Sequence, residues 1–187
     1  MLTTTRARVA LTAAGATMAV LATALTAGLA PAHAEQATYA DPADTRPSPT
    51  DIRSVTVDHN LANVVVLVGF TDLRRSLPGG GSGLSIRLDT RADRPGAEFL
   101  LTTGLQEGTD YQLVRVRGGK VVGAPLTCSH RVRLGYAADR LRFRVSRDCL
   151  GLPARVRVAL RMQDRVDPSH PLTDVLAPRW TRRVASS

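Results

Sequence analysis

The chain has 187 residues, of which 43% are hydrophobic and 22% charged, and its formal net charge is +9. Three Phe, three Tyr and one Trp are too few to fill a core and also to form a stacking platform for sugars. A basic chain of this kind is suited to acidic partners such as cell-wall polymers, acidic polysaccharide or extracellular nucleic acid.

Residues 1–34 have the organisation of a secretory signal peptide. Two arginines precede an uncharged run over residues 9–29, and an Ala-His-Ala tripeptide ends at residue 34. We predict cleavage before Glu35, export to the extracellular side, and a mature chain that has no further membrane segment. The alternative is an uncleaved anchor, because the apolar run is long enough to span a bilayer. Cleavage leaves 153 residues, enough for one domain with a core.

Residues 35–50 contain three prolines and no apolar periodicity, so we predict a disordered leader there. From residue 51 onwards, short segments alternate between apolar and polar residues, as half-buried antiparallel strands do. The segment over residues 64–70 is almost continuously apolar and predicts a central strand covered on both sides. The predicted strands span residues 51–58, 64–70, 84–88, 99–103, 111–117, 120–124, 131–136, 141–145 and 155–162.

These elements predict an all-β fold, a two-sheet antiparallel sandwich of about eight short strands. We place this domain at residues 51–163. Three prolines in residues 164–187 predict an irregular tail, and Trp180 within it is expected to pack back on the domain.

Cys128 precedes one predicted strand and Cys149 follows the next, so a disulfide between them would close the base of a hairpin. Export favours this pairing, since oxidising compartments preserve disulfides. The alternative is two free thiols, one of them a nucleophile that His130 could assist.

Arginine alternates with the apolar residues of the last three predicted strands. If all three strands belong to one sheet, eight arginines share its outer face, where like charges opposite one another cost stability. One interpretation is that the side chains are solvated and paired with Asp139, Asp148 or Glu107. The other is an anion-binding surface, because guanidinium groups bind phosphate and carboxylate through two hydrogen bonds. The eight are Arg131, Arg133, Arg140, Arg142, Arg144, Arg155, Arg157 and Arg161.

Other motifs give weaker indications. The loop over residues 77–83 is glycine-rich, but a strand follows it rather than the helix that a phosphate cradle requires. Asp89, Asp93 and Glu98 could supply oxygen ligands to calcium, although neighbouring arginines favour surface ion pairs. We therefore predict no metal and no cofactor. Nucleic acid is the less favoured anion, because no aromatic residue lies among the arginines to stack on bases.

No catalytic motif is present: the chain lacks Gly-x-Ser-x-Gly, His-Glu-x-x-His, Cys-x-x-Cys and a Walker loop. The histidines of the mature chain, His59, His130 and His170, are scattered, so the sequence neither proposes nor excludes a spatial triad.

Three groups of segments carry a resemblance to known proteins. They are Asp51-Ile52-x-Ser54-x-x-Val57, residues 64–73 with Ile86-x-Leu88-Asp89-Thr90, and Cys128 to Cys149-Leu150-Gly151 with Asp174-x-x-Ala177-Pro178. In these segments the chain resembles secreted actinobacterial β-sandwich proteins that look like distant relatives of DOMON and family-9 carbohydrate-binding domains. The resemblance implies a sandwich of eight to ten strands and ligand binding. A single Trp and two arginines after the Leu88-Asp89-Thr90 strand end depart from sugar-binding and calcium-binding relatives.

The sequence thus favours a secreted, non-catalytic binding module that contacts an anionic envelope polymer or carbohydrate through its arginines. The alternatives are a small secreted hydrolase and a structural envelope protein without a ligand.

Overall fold

The computed structural model describes residues 35–44, 48–77, 81–165, 169, 171–177 and 179–187. The signal peptide predicted for residues 1–34 lies outside this range. Within it, no helix has the length and apolar character needed to cross a membrane.

The described residues form twelve strands in two antiparallel sheets, which confirms the predicted all-β sandwich. One sheet has five strands in the order β1-β2-β3-β9-β8. The other has seven, in the order β11-β10-β4-β5-β6-β7, with β12 paired to β10. The strands are β1 (Glu35–Ala40), β2 (Ile52–His59), β3 (Asn63–Phe70), β4 (Gly83–Asp89), β5 (Phe99–Gly104), β6 (Tyr111–Arg117), β7 (Lys120–Val122), β8 (His130–Gly135), β9 (Arg140–Ser146), β10 (Arg155–Asp164), β11 (Leu172–Val175) and β12 (Val184–Ala185).

Alternate residues of both sheets point inward and form one core. In β9, Leu141, Phe143 and Val145 are fully buried, whereas the arginines between them are exposed. β3 is the central strand of its sheet, as its apolar run predicts, and even the outward-facing Val65 is only 5% exposed. The core residues of the facing sheet come mainly from β4, β5, β6 and β10. Burial of these rows is the main favourable contribution to folding.

The predicted disordered leader is wrong for Glu35–Ala40, because these residues pair with β2 along their whole length. Ala37 is buried and Tyr39 packs against the core, while Gln36 and Thr38 point outward. Inward and outward residues do alternate in this strand. Because the inward residues are an alanine and a tyrosine, the hydrophobic pattern in the sequence is weak.

The C-terminal tail packs on the domain, as predicted, but it is more regular than its prolines indicate. β11 and β12 both pair with β10, which itself continues to Asp164. The Arg157 guanidinium lies 4.9 Å from the centroid of the Trp180 ring, an arrangement typical of a cation–π contact.

The predicted disulfide is confirmed: Cys128 and Cys149 are bonded, with their Cα atoms 5.6 Å apart. Cys128 precedes β8 and Cys149 lies in a short 3-10 helix (Asp148–Leu150) after β9. The bond therefore closes the open end of the β8–β9 hairpin, and it excludes a free nucleophilic thiol at either position.

Removing the disulfide should destabilise the domain, because the unfolded chain gains conformational entropy when the bond no longer constrains it. The bond spans 21 residues, for which loop closure predicts a loss of about 3 kcal/mol in the free energy of unfolding. We expect this loss for the Cys128→Ala/Cys149→Ala variant in urea denaturation. The reduced wild-type protein should unfold at a similarly lowered urea concentration. A variant that unfolds together with the oxidised wild type would contradict the prediction.

His59 is a buried titratable group within the core. Its Nδ1 lies 3.0 Å from the carbonyl oxygen of Val184, which joins β2 to β12, and its Nε2 has no hydrogen-bond partner among the described residues. Burial lowers the pKa of His59 below its ordinary value of 6.5, with a smaller contribution of the same sign from Arg147.

The lowered pKa of His59 predicts a loss of stability in mild acid. As the pH falls through 6.5, the unfolded chain takes up the proton before the folded one, so the free energy of unfolding decreases. His59→Asn keeps a donor for Val184 but does not titrate. We expect the stability difference between wild type and this variant to shrink between about pH 7.5 and 5. Urea denaturation across this range measures it, and a constant difference would refute the assignment.

Candidate functional site

Five arginines project outward from the β8–β9 hairpin, and they are called the arginine face below. The strand register sets Arg131 directly opposite Arg144 and Arg133 directly opposite Arg142. Each of these side chains is exposed. Two like-charged cross-strand pairs therefore lie side by side. The members of the arginine face are Arg131, Arg133, Arg140, Arg142 and Arg144.

The charges of the arginine face are not neutralised within the described part of the chain, since none of its members forms an ion pair there. Two of the acidic residues considered as partners are engaged elsewhere. Asp139 accepts a hydrogen bond from the backbone of Leu73 at 2.7 Å, and Glu107 pairs with Arg75 at 2.9 Å. Opposed like charges destabilise a sheet, so this arrangement costs stability, and no ion pair with a described carboxylate compensates for it.

The arginines enclose an open groove rather than a flat surface. The groove has a volume of about 460 Å³, and Ser129 and His130 complete its lining beside four of the arginines. Within the arginine face, Arg144 is held in place because its Nε donates to Asn63 Oδ1 at 2.9 Å. The groove thus offers several guanidinium groups to one extended anion.

The arginine face also protects a sheet edge. β8 is the last strand of its sheet, and charged side chains on an edge strand oppose pairing with another chain. Charge at this edge explains arginines on β8. It does not explain those of β9, which is an interior strand flanked by β3 and β8.

The expectation that eight arginines share one face is wrong. β10 pairs with β4, β11 and β12 in the seven-stranded sheet, so Arg155, Arg157 and Arg161 lie on the other side of the sandwich. The side-chain alternation was interpreted correctly in all three strands. Which sheet β10 joins depends on its pairing with β4, about 70 residues earlier in the chain, and alternation carries no information about that partner.

Arg157 has a structural role. Its Nε and Nη2 both contact Asp89 Oδ2, at 2.8 and 2.7 Å, while Arg183 Nη2 binds Asp89 Oδ1 at 2.7 Å. Asp89 is completely buried. A buried carboxylate that has two guanidinium partners anchors the C-terminal tail to the end of β4.

The weak calcium candidate does not assemble. Asp89 is engaged by the two arginines just described, and Asp93 forms an ion pair with Arg91 at 2.7 Å. Glu98 Oε2 accepts hydrogen bonds from the backbone and hydroxyl of Thr90. The loop therefore contains the surface ion pairs and turn contacts that its arginines favoured.

A different acidic cluster, missed in the sequence, occurs where the leader meets β11. Carboxylate oxygens of Asp44, Asp51 and Asp174 lie within 4.8 Å of one another, and the latter two residues are buried. Burial raises the pKa of Asp174 to about 6, with smaller contributions from Asp41, Asp44 and Asp51. The cluster could not be recognised in the sequence, because some 120 residues separate Asp174 from the other two aspartates. The only hint in the sequence was the recurrence of Asp between residues 41 and 51.

The two described histidines do not form a triad. His130 Nδ1 lies 2.6 Å from the Cys128 carbonyl oxygen, and its ring meets Tyr111 edge-on at 5.8 Å. His59 is buried against β12, and His170 lies outside the described residues. A broad, open groove of about 840 Å³ is lined mainly by Gly, Ser, Thr and Gln around Tyr111.

Comparison with family models, with curated proteins and with solved structures gave no match.

Removing the Asp89 carboxylate should destabilise the protein strongly. Asp89→Ala leaves Arg157 and Arg183 partly buried without their partner, a change that typically costs about 3 kcal/mol or more. The matched control is Asp93→Ala, because Asp93 is 64% exposed and pairs with one arginine. We expect the control to change the free energy of unfolding far less, because an exposed ion pair contributes little to stability. Similar urea midpoints for the two variants would show that Asp89 is not the anchor.

Proposed function

We propose that the chain is a secreted, non-catalytic β-sandwich module that binds an anionic polymer of the cell envelope through the arginine face. The observation that carries this proposal is the juxtaposition of two cross-strand arginine pairs, Arg131 with Arg144 and Arg133 with Arg142, without a carboxylate partner among the described residues. An external anion would relieve the repulsion that the fold itself leaves in place.

The spacing of the arginines is suited to a repeating anion. Directly opposed side chains in an antiparallel pair start about 5 Å apart, and successive outward side chains along a strand start about 7 Å apart. The guanidinium groups can therefore meet several negative charges of one extended polymer. Each guanidinium can bind carboxylate, phosphate or sulfate through two parallel hydrogen bonds.

Nucleic acid is the less favoured polymer. Single-stranded nucleic acids are bound with the help of aromatic side chains on which bases stack. The outward neighbours of the arginines on β3 are Val65 and Leu67, and no aromatic side chain lies between the two arginine pairs. A polymer that is recognised only by its charges, such as an acidic polysaccharide or a phosphate polymer, does not require aromatic side chains for its binding.

Secretion is supported by two independent features. The first 34 residues have a signal-peptide pattern, and the domain contains a disulfide between Cys128 and Cys149. Disulfides persist in oxidising compartments outside the cytosol. Those compartments are also where an envelope polymer would be encountered.

The test compares two variants that lose the same charge. Arg133→Gln/Arg142→Gln removes one opposed pair of the arginine face. Arg87→Gln/Arg161→Gln removes two exposed arginines from the other sheet and serves as the control. At about 1 kcal/mol for each arginine near an anionic surface, the first variant should raise the dissociation constant for heparin about thirtyfold. The control should change it far less.

Retention on heparin and on isolated envelope polymer measures both variants. Equal weakening by the two variants would indicate net charge rather than a defined face. Unchanged retention of the first variant would leave the protein without this ligand and favour a structural role. In urea denaturation, the first variant should be as stable as the wild type or up to about 1 kcal/mol more stable, because a like-charge pair is removed.

A further inference from the structure

The seven-stranded sheet carries an open groove of about 840 Å³, called the polar groove below, that crosses the outer side of β10, β4, β5 and β6. The flanking strands contribute the long side chains of Gln163 from β10 and Gln112 from β6. At the groove, the two middle strands contribute only small residues to the outward row, and this difference in size creates the depression. The small residues are Gly83, Ser85, Thr102 and Gly104, which pair across β4 and β5.

The polar groove offers neutral hydrogen-bonding groups. Among its described lining residues, only Asp110 and Arg165 are charged, one of each sign. Thr102 and Gln112 are exposed and lie directly opposite each other on β5 and β6. A hydroxyl and an amide each donate and accept hydrogen bonds, as sugar hydroxyls do, whereas an ionised carboxylate only accepts them. The polar groove is therefore better suited to the hydroxyl groups of a sugar than to an anionic group.

The polar groove adjoins the arginine face through an aromatic contact. Tyr111 lines the polar groove, and its ring meets the ring of His130 edge-on, with the centroids 5.8 Å apart. His130 in turn lines the groove between the arginines and immediately precedes Arg131. The two grooves belong to different sheets, and β8, the strand of His130, is the last strand of its sheet. The aromatic contact thus marks the edge at which one extended ligand can pass from one groove to the other.

We infer that the polymer bound by the arginine face is an acidic polysaccharide, whose acidic groups contact the arginines while its sugar hydroxyls occupy the polar groove. This inference rests on the proposed function and narrows its ligand from any anionic polymer to one built of sugars. A polyphosphate chain or an acidic peptide offers the arginines similar charge but has no hydroxyl groups for Thr102 and Gln112. A site built to bind hydroxyl groups discriminates against ligands that lack them.

Two polymers of matched length test the inference on the wild-type protein. Polygalacturonate carries one carboxylate on each sugar unit, whereas poly-L-glutamate carries one on each residue and has no hydroxyl groups. We expect polygalacturonate to bind about tenfold more tightly in isothermal titration calorimetry, which is the effect of one or two hydrogen bonds. Equal affinities would overturn the inference and would leave the proposed function in place, because that function requires only the charges.

A matched pair of variants locates the sugar. Thr102→Ala/Gln112→Ala should weaken the binding of polygalacturonate about tenfold and change that of poly-L-glutamate less than about twofold. Gln36→Ala/Thr38→Ala removes the same residue types from exposed positions of β1, at the other edge of the five-stranded sheet from β8. This control should leave the binding of both polymers unchanged. Unaltered polygalacturonate affinity in the groove variant, or equal weakening for both polymers, would refute the sugar assignment.

The arginine variant distinguishes failure of this inference from failure of the proposed function. Arg133→Gln/Arg142→Gln should weaken the binding of both polymers to a similar extent, because both carry carboxylates. If it weakens neither, the proposed function fails together with the inference. If it weakens both while the groove variant weakens neither, only the sugar assignment fails. Urea denaturation verifies that each variant is folded, and the comparison of the two polymers on the wild-type protein does not depend on any variant.

Discussion

The arrangement of this protein depends on the two-residue period of its strands. When β9 places Leu141, Phe143 and Val145 in the core, the residues between them must face outward. The period determines only the direction in which these side chains point, and it does not determine which residue types occupy the outward positions. In the same sheet, β1 fills the outward positions with Gln36 and Thr38, and β2 uses Thr56 and Asp58. Arginine recurs at every second residue in β8 and β9, whereas β2 contains a single arginine, Arg53, so the concentration of arginine in the β8–β9 half is not a consequence of the fold.

The concentration of arginine also has an energetic cost. Several arginines elsewhere in the described chain are matched with acids, among them Arg75 with Glu107, Arg91 with Asp93, and Arg157 with Asp89. The arginine face receives no such match among the described residues, although strand pairing sets its charges directly opposite one another. A protein whose stability margin is a few kcal/mol retains such repulsion at a cost. Protection of the sheet edge accounts only for the arginines of β8. Binding of an anion would also account for the arginines of β9.

Local pattern determined most of what the sequence could reveal. Alternation identified β8, β9 and β10, and the continuous apolar run identified β3 as central, because both signals reside in neighbouring residues. The strand β1 was missed since Ala37 and Tyr39 give a weak apolar signal. The assignment of β10 to the sheet of β8 and β9 failed for a different reason: sheet membership is set by pairing between distant segments. The clustering of Asp51 with Asp174 was hidden for the same reason, because 122 residues separate the Asp174 carboxylate from the Ile52 backbone that it binds.

The fold treats its buried aspartates in two ways. Asp89 is surrounded by Arg157 and Arg183, and the result is a neutralised anchor for the tail. Asp174 forms no ion pair in the described part of the chain, and its Oδ2 accepts the backbone N–H of Ile52 at 2.7 Å instead. Burial raises the pKa of Asp174 to about 6. Asp89 therefore joins the tail to β4 through charge neutralisation, whereas Asp174 joins β11 to β2 through a backbone hydrogen bond.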